Sequence, residues 1–260
     1  MKQEIELCFS DEGMTYANSM KYRLDDTLIQ INQNTNVVKE NFIKVKQTVS
    51  IGVVSAEKHM GATSVAFNLT LFLKSLNNTT ACYIEYNDHN TLETLKTKSN
   101  SIYYQDIGKI DYQGIDMFLK PQSVADIQKF DYEFYVYDFG AFNELSQEQK
   151  DIFLSRDLKL LVSGFKPWEE NNLINTLIEV GDDNNLYILL NLVDENIKNT
   201  VKDNLGDYKN RAYFLELMYD PFVLKNQAVF NTLLRPYLHE SQIIEEKHKK
   251  GLFGKKKKKS

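Results

Sequence analysis

Cysteine is scarce in this chain: Cys8 and Cys82 are the only two, and they lie far apart. Neither belongs to a Cys-x-x-Cys pair or a Cys/His ligand pattern, which excludes a zinc ribbon and a disulfide framework and predicts a reducing compartment. Long apolar runs are also missing. No stretch reaches the ~20 apolar residues a spanning helix needs, and no apolar signal-like region follows Met1-Lys2-Gln3-Glu4, so the expectation is a cytoplasmic protein. The four histidines, His59, His89, His239 and His248, match no metal spacing and are expected on loops or the surface. Ser55 and Ser163 lack the Gly-x-Ser-x-Gly surroundings of a nucleophile elbow, which sets that hydrolase chemistry aside. With 4 prolines and 11 glycines in 260 residues and an apolar share of 42%, the chain reads as a packed globular protein.

Positive charge is outnumbered over most of the chain and crowded at one end. The formal net charge is -5, yet the segment from Lys247 onward carries eight lysines and no acid, so the rest sums to -5 - 8 = -13. An acidic body is a poor general binder of nucleic acid, whereas a lysine tail seeks any polyanion.

Apolar periodicity organises the chain from about Thr48 to Leu238. Short runs rich in β-branched and aromatic residues predict buried strands at Val49 to Val54, Ala81 to Tyr86, Phe134 to Tyr137, Leu158 to Val162, Leu186 to Leu190 and Ala212 to Leu217. Helical spacing predicts helices over Thr63 to Leu76, Ser146 to Leu154, Glu169 to Val180 and Asn196 to Leu205. This alternation implies an α/β fold with a doubly wound, mostly parallel sheet covered on both faces. The expected organisation is a small N-terminal extension, a βαβ-like module, over 1-47; an α/β domain over 48-240; and a basic C-terminal tail over 241-260. Trp168, the only tryptophan, follows Pro167 and precedes Glu169-Glu170, and is expected to pack at a helix start.

Ligands in such sheets bind beyond the carboxyl ends of the strands, which directs attention to the loop after the first core strand. The segment from Ser50 to Ser64 has the outline of a phosphate-binding loop: strand, polar loop, helix start. In that motif backbone N–H groups and the helix dipole hold phosphates, a lysine reaches the terminal phosphates, and a Ser/Thr hydroxyl meets magnesium. Gly61 and Thr63 hold the glycine and hydroxyl positions, with Ser64 beside them. Ala62 stands where the lysine belongs, and Ala56 where the first glycine belongs. Losing one such cation typically costs about 2–4 kcal/mol of transition-state stabilisation. Taken alone, the segment also reads as a tight turn capped by Thr63. Asp138-Phe139-Gly140 is a kinase-like triplet, but no strand lysine with a glycine-rich loop and no His-Arg-Asp segment accompanies it.

Further features follow the order found in the MinD/ParA branch of P-loop proteins, which the chain resembles from about Val49 to Leu238. Thr63-Ser64-Val65-Ala66-Phe67-Asn68-Leu69-Thr70 is similar to the T-T-x-x-x-N-L-A helix. Glu85 and Asn87 fall where the family has two aspartates. Phe130 to Gly140 resembles its Walker B strand, with Asp138 at the magnesium-supporting position. Leu158 to Gly164 resembles the next strand, Leu189-Leu190-Asn191 matches the strand whose asparagine often contacts adenine, and Asp220-Pro221 resembles the final acid-proline turn. The second family lysine is displaced: Glu57 occupies its register and Lys58 follows. The lost lysine and the segment Lys166-Pro167-Trp168-Glu169 most resemble the degenerate TadZ/CpaE-like members, which localise pilus or secretion machinery.

The resemblance implies phosphate contacts at Lys58, Gly61, Ala62, Thr63 and Ser64, Asn191 near a base, and magnesium at Thr63 and Asp138, with ATP and Mg2+ held weakly or not at all. It implies a homodimer that organises membrane-associated assembly proteins rather than a competent enzyme. An ATPase using Lys58 and a DNA-partition protein are the alternatives. The tail resembles a shortened MinD membrane-targeting segment, with Leu252 and Phe253 set between Lys249-Lys250 and Lys255, Lys256, Lys257, Lys258 and Lys259. Each lysine near an anionic leaflet contributes about 1 kcal/mol, which favours a peripheral membrane location over DNA; a solvated tail is the bland alternative.

Overall fold

A computed structural model describes residues 48–119 and 129–238. The expected module at 1-47 and the tail from 241 lie outside the described residues. In chain order the elements are β1 (Val49–Ser55), α1 (Ala62–Ser75), β2 (Ala81–Glu85), α2 (Thr91–Lys96), β3 (Ser101–Tyr104), β4 (Lys109–Tyr112), β5 (Ile115–Phe118), β6 (Phe134–Ala141), α3 (Gln147–Leu154), β7 (Leu158–Ser163), α4 (Pro167–Val180), β8 (Leu186–Leu190), α5 (Lys198–Asn204), β9 (Ala212–Phe214) and α6 (Gln227–Leu234). A 3-10 turn at Phe142–Glu144 follows β6.

The strands form one nine-stranded sheet in the order β3-β4-β5-β2-β6-β1-β7-β8-β9. Every neighbouring pair from β5 to β9 is parallel, while β3, β4 and β5 make an antiparallel edge. Side chains of the central strands alternate between two cores, as a parallel sheet covered on both faces requires. Val49, Ile51 and Val53 of β1 and Phe134 and Val136 of β6 pack with Phe72 of α1 and Phe230 of α6. Val54, Tyr135 and Tyr137 face the other way, toward Phe153 of α3 and Leu173 and Leu177 of α4. Gly52 makes this second packing close, because a β-carbon there would lie 2.8 Å from Phe153 Cδ2 and 3.0 Å from Arg156 Cγ.

Each strand and helix expected from the periodicity is present within a few residues. The edge strands β3 to β5, together with α2 and α6, were not anticipated. The edge strands are four residues long and β3 is partly exposed, too short for alternation to register. Gln113 and Gly114, with φ of 51° and 75°, form the two-residue turn joining β4 to β5.

Trp168 corrects the sequence reading: it is 70% exposed, with Lys166 Nζ 5.7 Å from its ring centre. The buried face of α4 is made by Glu169, Leu173, Thr176 and Leu177, and Trp168 lies off it. Glu169 takes the inner position at the helix start, where Oε2 accepts the Lys166 N–H at 3.0 Å. Gly164 leaves room for it, since a β-carbon there would fall 1.9 Å from that same oxygen.

Candidate functional site

The register brings the carboxyl ends of β1, β6 and β7 together, with Ser55 opposite Ala141 on one side and Val162 on the other. The loop leaving β1 turns into α1 through two left-handed residues, His59 (φ 64°) and Gly61 (φ 100°). Gly61 is the residue preceding α1, and no side chain caps that helix. The first N–H groups of a helix lack intrahelical partners, which makes such a helix start a candidate position for an anion. Ala62 is 4% exposed at the first helical position.

The structure brings Thr63 and Asp138 together. Thr63 Oγ1 donates to Asp138 Oδ2 at 2.7 Å. Asp138 lies within β6 rather than just after it, paired with Val53 on one side and Glu85 on the other. The register slips between Val53 and Val54, leaving Phe139 as the extra residue of a bulge, and such bulges re-aim strand side chains. Gly140 (φ 74°) follows, and its N–H donates to Asp138 Oδ1 at 3.1 Å. A third donor was hidden in an apolar run: the Tyr83 hydroxyl reaches Asp138 Oδ2 at 2.8 Å.

Asp138 is 0% exposed. Burial pushes its carboxyl above the usual carboxylate range, and the bonds from Thr63, Tyr83 and Gly140, with the charge of His89, pull back part of that rise. Burial and the neighbouring Asp138 charge push the Tyr83 hydroxyl well above its ordinary value, so Tyr83 stays a neutral donor.

The other expected site residues are distributed differently. Lys58 forms an ion pair with Glu144 of the 3-10 turn. Glu57 accepts from Asn172 Nδ2 of α4 at 2.8 Å. Ser64 is half-buried on the first turn of α1. Asn191 Nδ2 donates to the Met60 carbonyl at 3.3 Å, which ties the end of β8 to the loop, while its buried Oδ1 has no hydrogen-bond partner. Glu85 and Asn87 have structural partners. Glu85 Oε1 accepts the Thr91 and Leu92 N–H groups at 2.6 and 3.3 Å, and Asn87 Nδ2 donates to the Asp138 carbonyl at 3.0 Å.

Asn68, matched earlier only as a motif letter, is fully buried and holds the loop after β9. Its Nδ2 donates to the carbonyls of Pro221 and Val223 at 3.0 and 2.8 Å, and its Oδ1 accepts the Lys225 N–H at 3.0 Å.

Geometry therefore divides the site into halves. Gly61 and the start of α1 fit an anion. The half that would face a cation fits a magnesium nucleotide poorly: Ala62 offers no charge, Lys58 pairs with Glu144, and Asp138 already accepts from three protein donors. Among the described residues no group of three or more His, Cys, Asp or Glu side chains is placed to hold a metal ion, and no helix is long and apolar enough to cross a membrane.

No protein-family model matches the sequence, and no curated protein matches it. Solved structures do. A plasmid partition protein from Borrelia burgdorferi B31, bound to AMPPNP, is 11% identical over 74% of this chain and 100% of its own, with a TM-score of 0.51. MinD from Aquifex aeolicus is 14% identical over 73% of this chain and 97% of its own, with a TM-score of 0.53. The Aquifex aeolicus MinC:MinD complex matches at 13% identity over 73% and 96%, with a TM-score of 0.54. At these identities it is topology that is shared, and the chain has the ParA/MinD P-loop fold.

Proposed function

We propose that the protein is a MinD/ParA-like positioning or scaffold protein that holds ATP and Mg2+ weakly or not at all and acts through self-association and its basic tail. The observation that carries this reading is the charge balance around Asp138: a fully buried carboxylate held by two hydroxyls and one N–H, beside a loop with alanine at the lysine position. A phosphoryl-transfer site relies on preorganised cations where charge develops, so such a site is a poor catalyst. Lys58 is the candidate replacement, and its pairing with Glu144 draws it toward the turn after β6.

In this reading Gly61, Thr63 and Ser64 retain the phosphate cradle, Asn191 fixes the loop, and a pair of chains organises a membrane-bound apparatus such as a pilus or secretion assembly. The tail supplies the membrane contact through Lys249, Lys250, Leu252, Phe253 and Lys255 to Lys259. ATP turnover by the full chain, compared with Lys58→Ala, tests the catalytic half. Background turnover unchanged by the substitution is expected, and robust turnover abolished by it overturns the scaffold reading in favour of an ATPase. Sedimentation with anionic vesicles, set against DNA retention, tests the tail. Loss of vesicle binding on removal of residues 247–260 is expected, whereas loss of DNA retention alone makes this a partition protein.

A further inference from the structure

Tyr83 has a place in the site that neither the P-loop pattern nor the family resemblance assigns. It stands two residues before Glu85 on β2 and is completely buried, in a run of five buried strand residues. Its ring stacks on Phe67 of α1 with centres 4.2 Å apart and planes at 24°, and Phe67 in turn packs on Phe222 at 5.1 Å. The phenol is thereby held rigidly, with its hydroxyl on Asp138 Oδ2, the same oxygen that accepts from Thr63.

A carboxylate offers about four lone-pair sites. Oδ2 already serves two hydroxyls and Oδ1 serves the Gly140 N–H, and the residue has no exposed surface. A hydrated divalent cation held here would need an acceptor of this carboxylate for one of its waters; Thr63 and Tyr83 fill Oδ2, which leaves one lone-pair site, on Oδ1 beside the Gly140 N–H. The Thr63 bond poses no such obstacle, because a threonine that donates its proton keeps its oxygen lone pairs for a metal.

We infer that Tyr83 is an internal plug of the cation half of the site: its hydroxyl occupies an Asp138 acceptor site that a hydrated magnesium ion would use, so two features disfavour the cation, this hydroxyl and the missing lysine. This inference rests on the reading of the site as a degenerate nucleotide site and adds the residue that closes it. A buried phenol donor aimed at a buried carboxylate also helps the fold keep Asp138 without a metal: it adds a third donor to those from Thr63 and Gly140 for a group that has no water of its own.

Titration of AMPPNP with Mg2+ into the full chain tests it, using wild type, Ala62→Lys, Tyr83→Phe and the double variant. Phenylalanine keeps the stack on Phe67 and removes only the hydroxyl. The plug predicts that Ala62→Lys binds no more than about threefold tighter than wild type and that the double variant gains at least about tenfold over Ala62→Lys, a step of about 1.4 kcal/mol. An Ala62→Lys variant as tight as the double overturns the plug, and so does a double variant no tighter than wild type. Tight binding by wild type overturns instead the degenerate-site reading beneath it. If the Tyr83→Phe double variant does not fold, Ala62→Lys/Tyr83→Met gives the same comparison.

Discussion

Thr63 Oγ1 donates to Asp138 Oδ2 at 2.7 Å across 75 positions of sequence, joining the first turn of α1 to the middle of β6. The bond ties a helix start to a neighbouring strand, and its acceptor is a carboxylate with no solvent of its own. Removing the donor leaves that charge short of a partner. Thr63→Val, which keeps the shape, is expected to lower stability by about 1–3 kcal/mol, while Thr63→Ser recovers most of the loss. Urea denaturation of the three proteins measures it; equal midpoints would show that the bond contributes nothing.

Stability should also depend on pH in a direction set by two buried carboxyls. Burial pushes both Asp138 and Glu85 above the usual carboxylate range. The folded state therefore keeps protons that the unfolded chain releases, and this stabilisation is complete below the unfolded pKa and lost as pH rises through the folded value. The contribution of these two groups declines as pH rises above about 4. Denaturation midpoints recorded across that window should fall less steeply in Asp138→Asn than in wild type, and an unchanged slope would assign the pH dependence to other groups.

Asn68 makes a sharper prediction about the loop after β9. Its side chain serves two carbonyls and one N–H of residues 221–225 from a position with no exposed surface. Asn68→Ala strands those backbone groups and should cost roughly 2–4 kcal/mol, with faster hydrogen exchange at the Lys225 amide. Exchange there as slow as in wild type would mean the loop is held by its other contacts.

Gly52 is expected to tolerate no side chain. Gly52→Ala places a β-carbon 2.8 Å from Phe153 Cδ2 and should destabilise by about 1–3 kcal/mol. Adding Phe153→Leu should recover part of this, since the clash is with the ring; a double variant worse than both singles combined would place the constraint in the backbone.

The parallel core was legible in the sequence because its strands are buried on both faces and are mostly apolar, with only Ser50, Ser55, Lys159 and Ser163 as polar residues in Val49–Ser55 and Leu158–Ser163. Thr63 and Asp138 were each singled out in the sequence, one by the loop outline and one by its strand position, and the structure joins them by a direct hydrogen bond. Tyr83 was not, since within a buried strand a tyrosine reads as packing, and only the register with β6 shows where its hydroxyl ends. Glu85 and Asn87 matched family aspartates by position, yet their partners proved to be the start of α2 and a strand carbonyl. Trp168 was misplaced because its neighbours mark a helix start without saying which side of the helix faces the sheet.

Calorimetric titration of ATP with Mg2+ into the wild-type chain tests the central claim most directly. A site whose Asp138 already accepts from three protein donors and whose loop has alanine at the lysine position should give a dissociation constant weaker than about 100 μM, short of about -5.5 kcal/mol. Saturable binding in the low micromolar range, dependent on Mg2+, would contradict it.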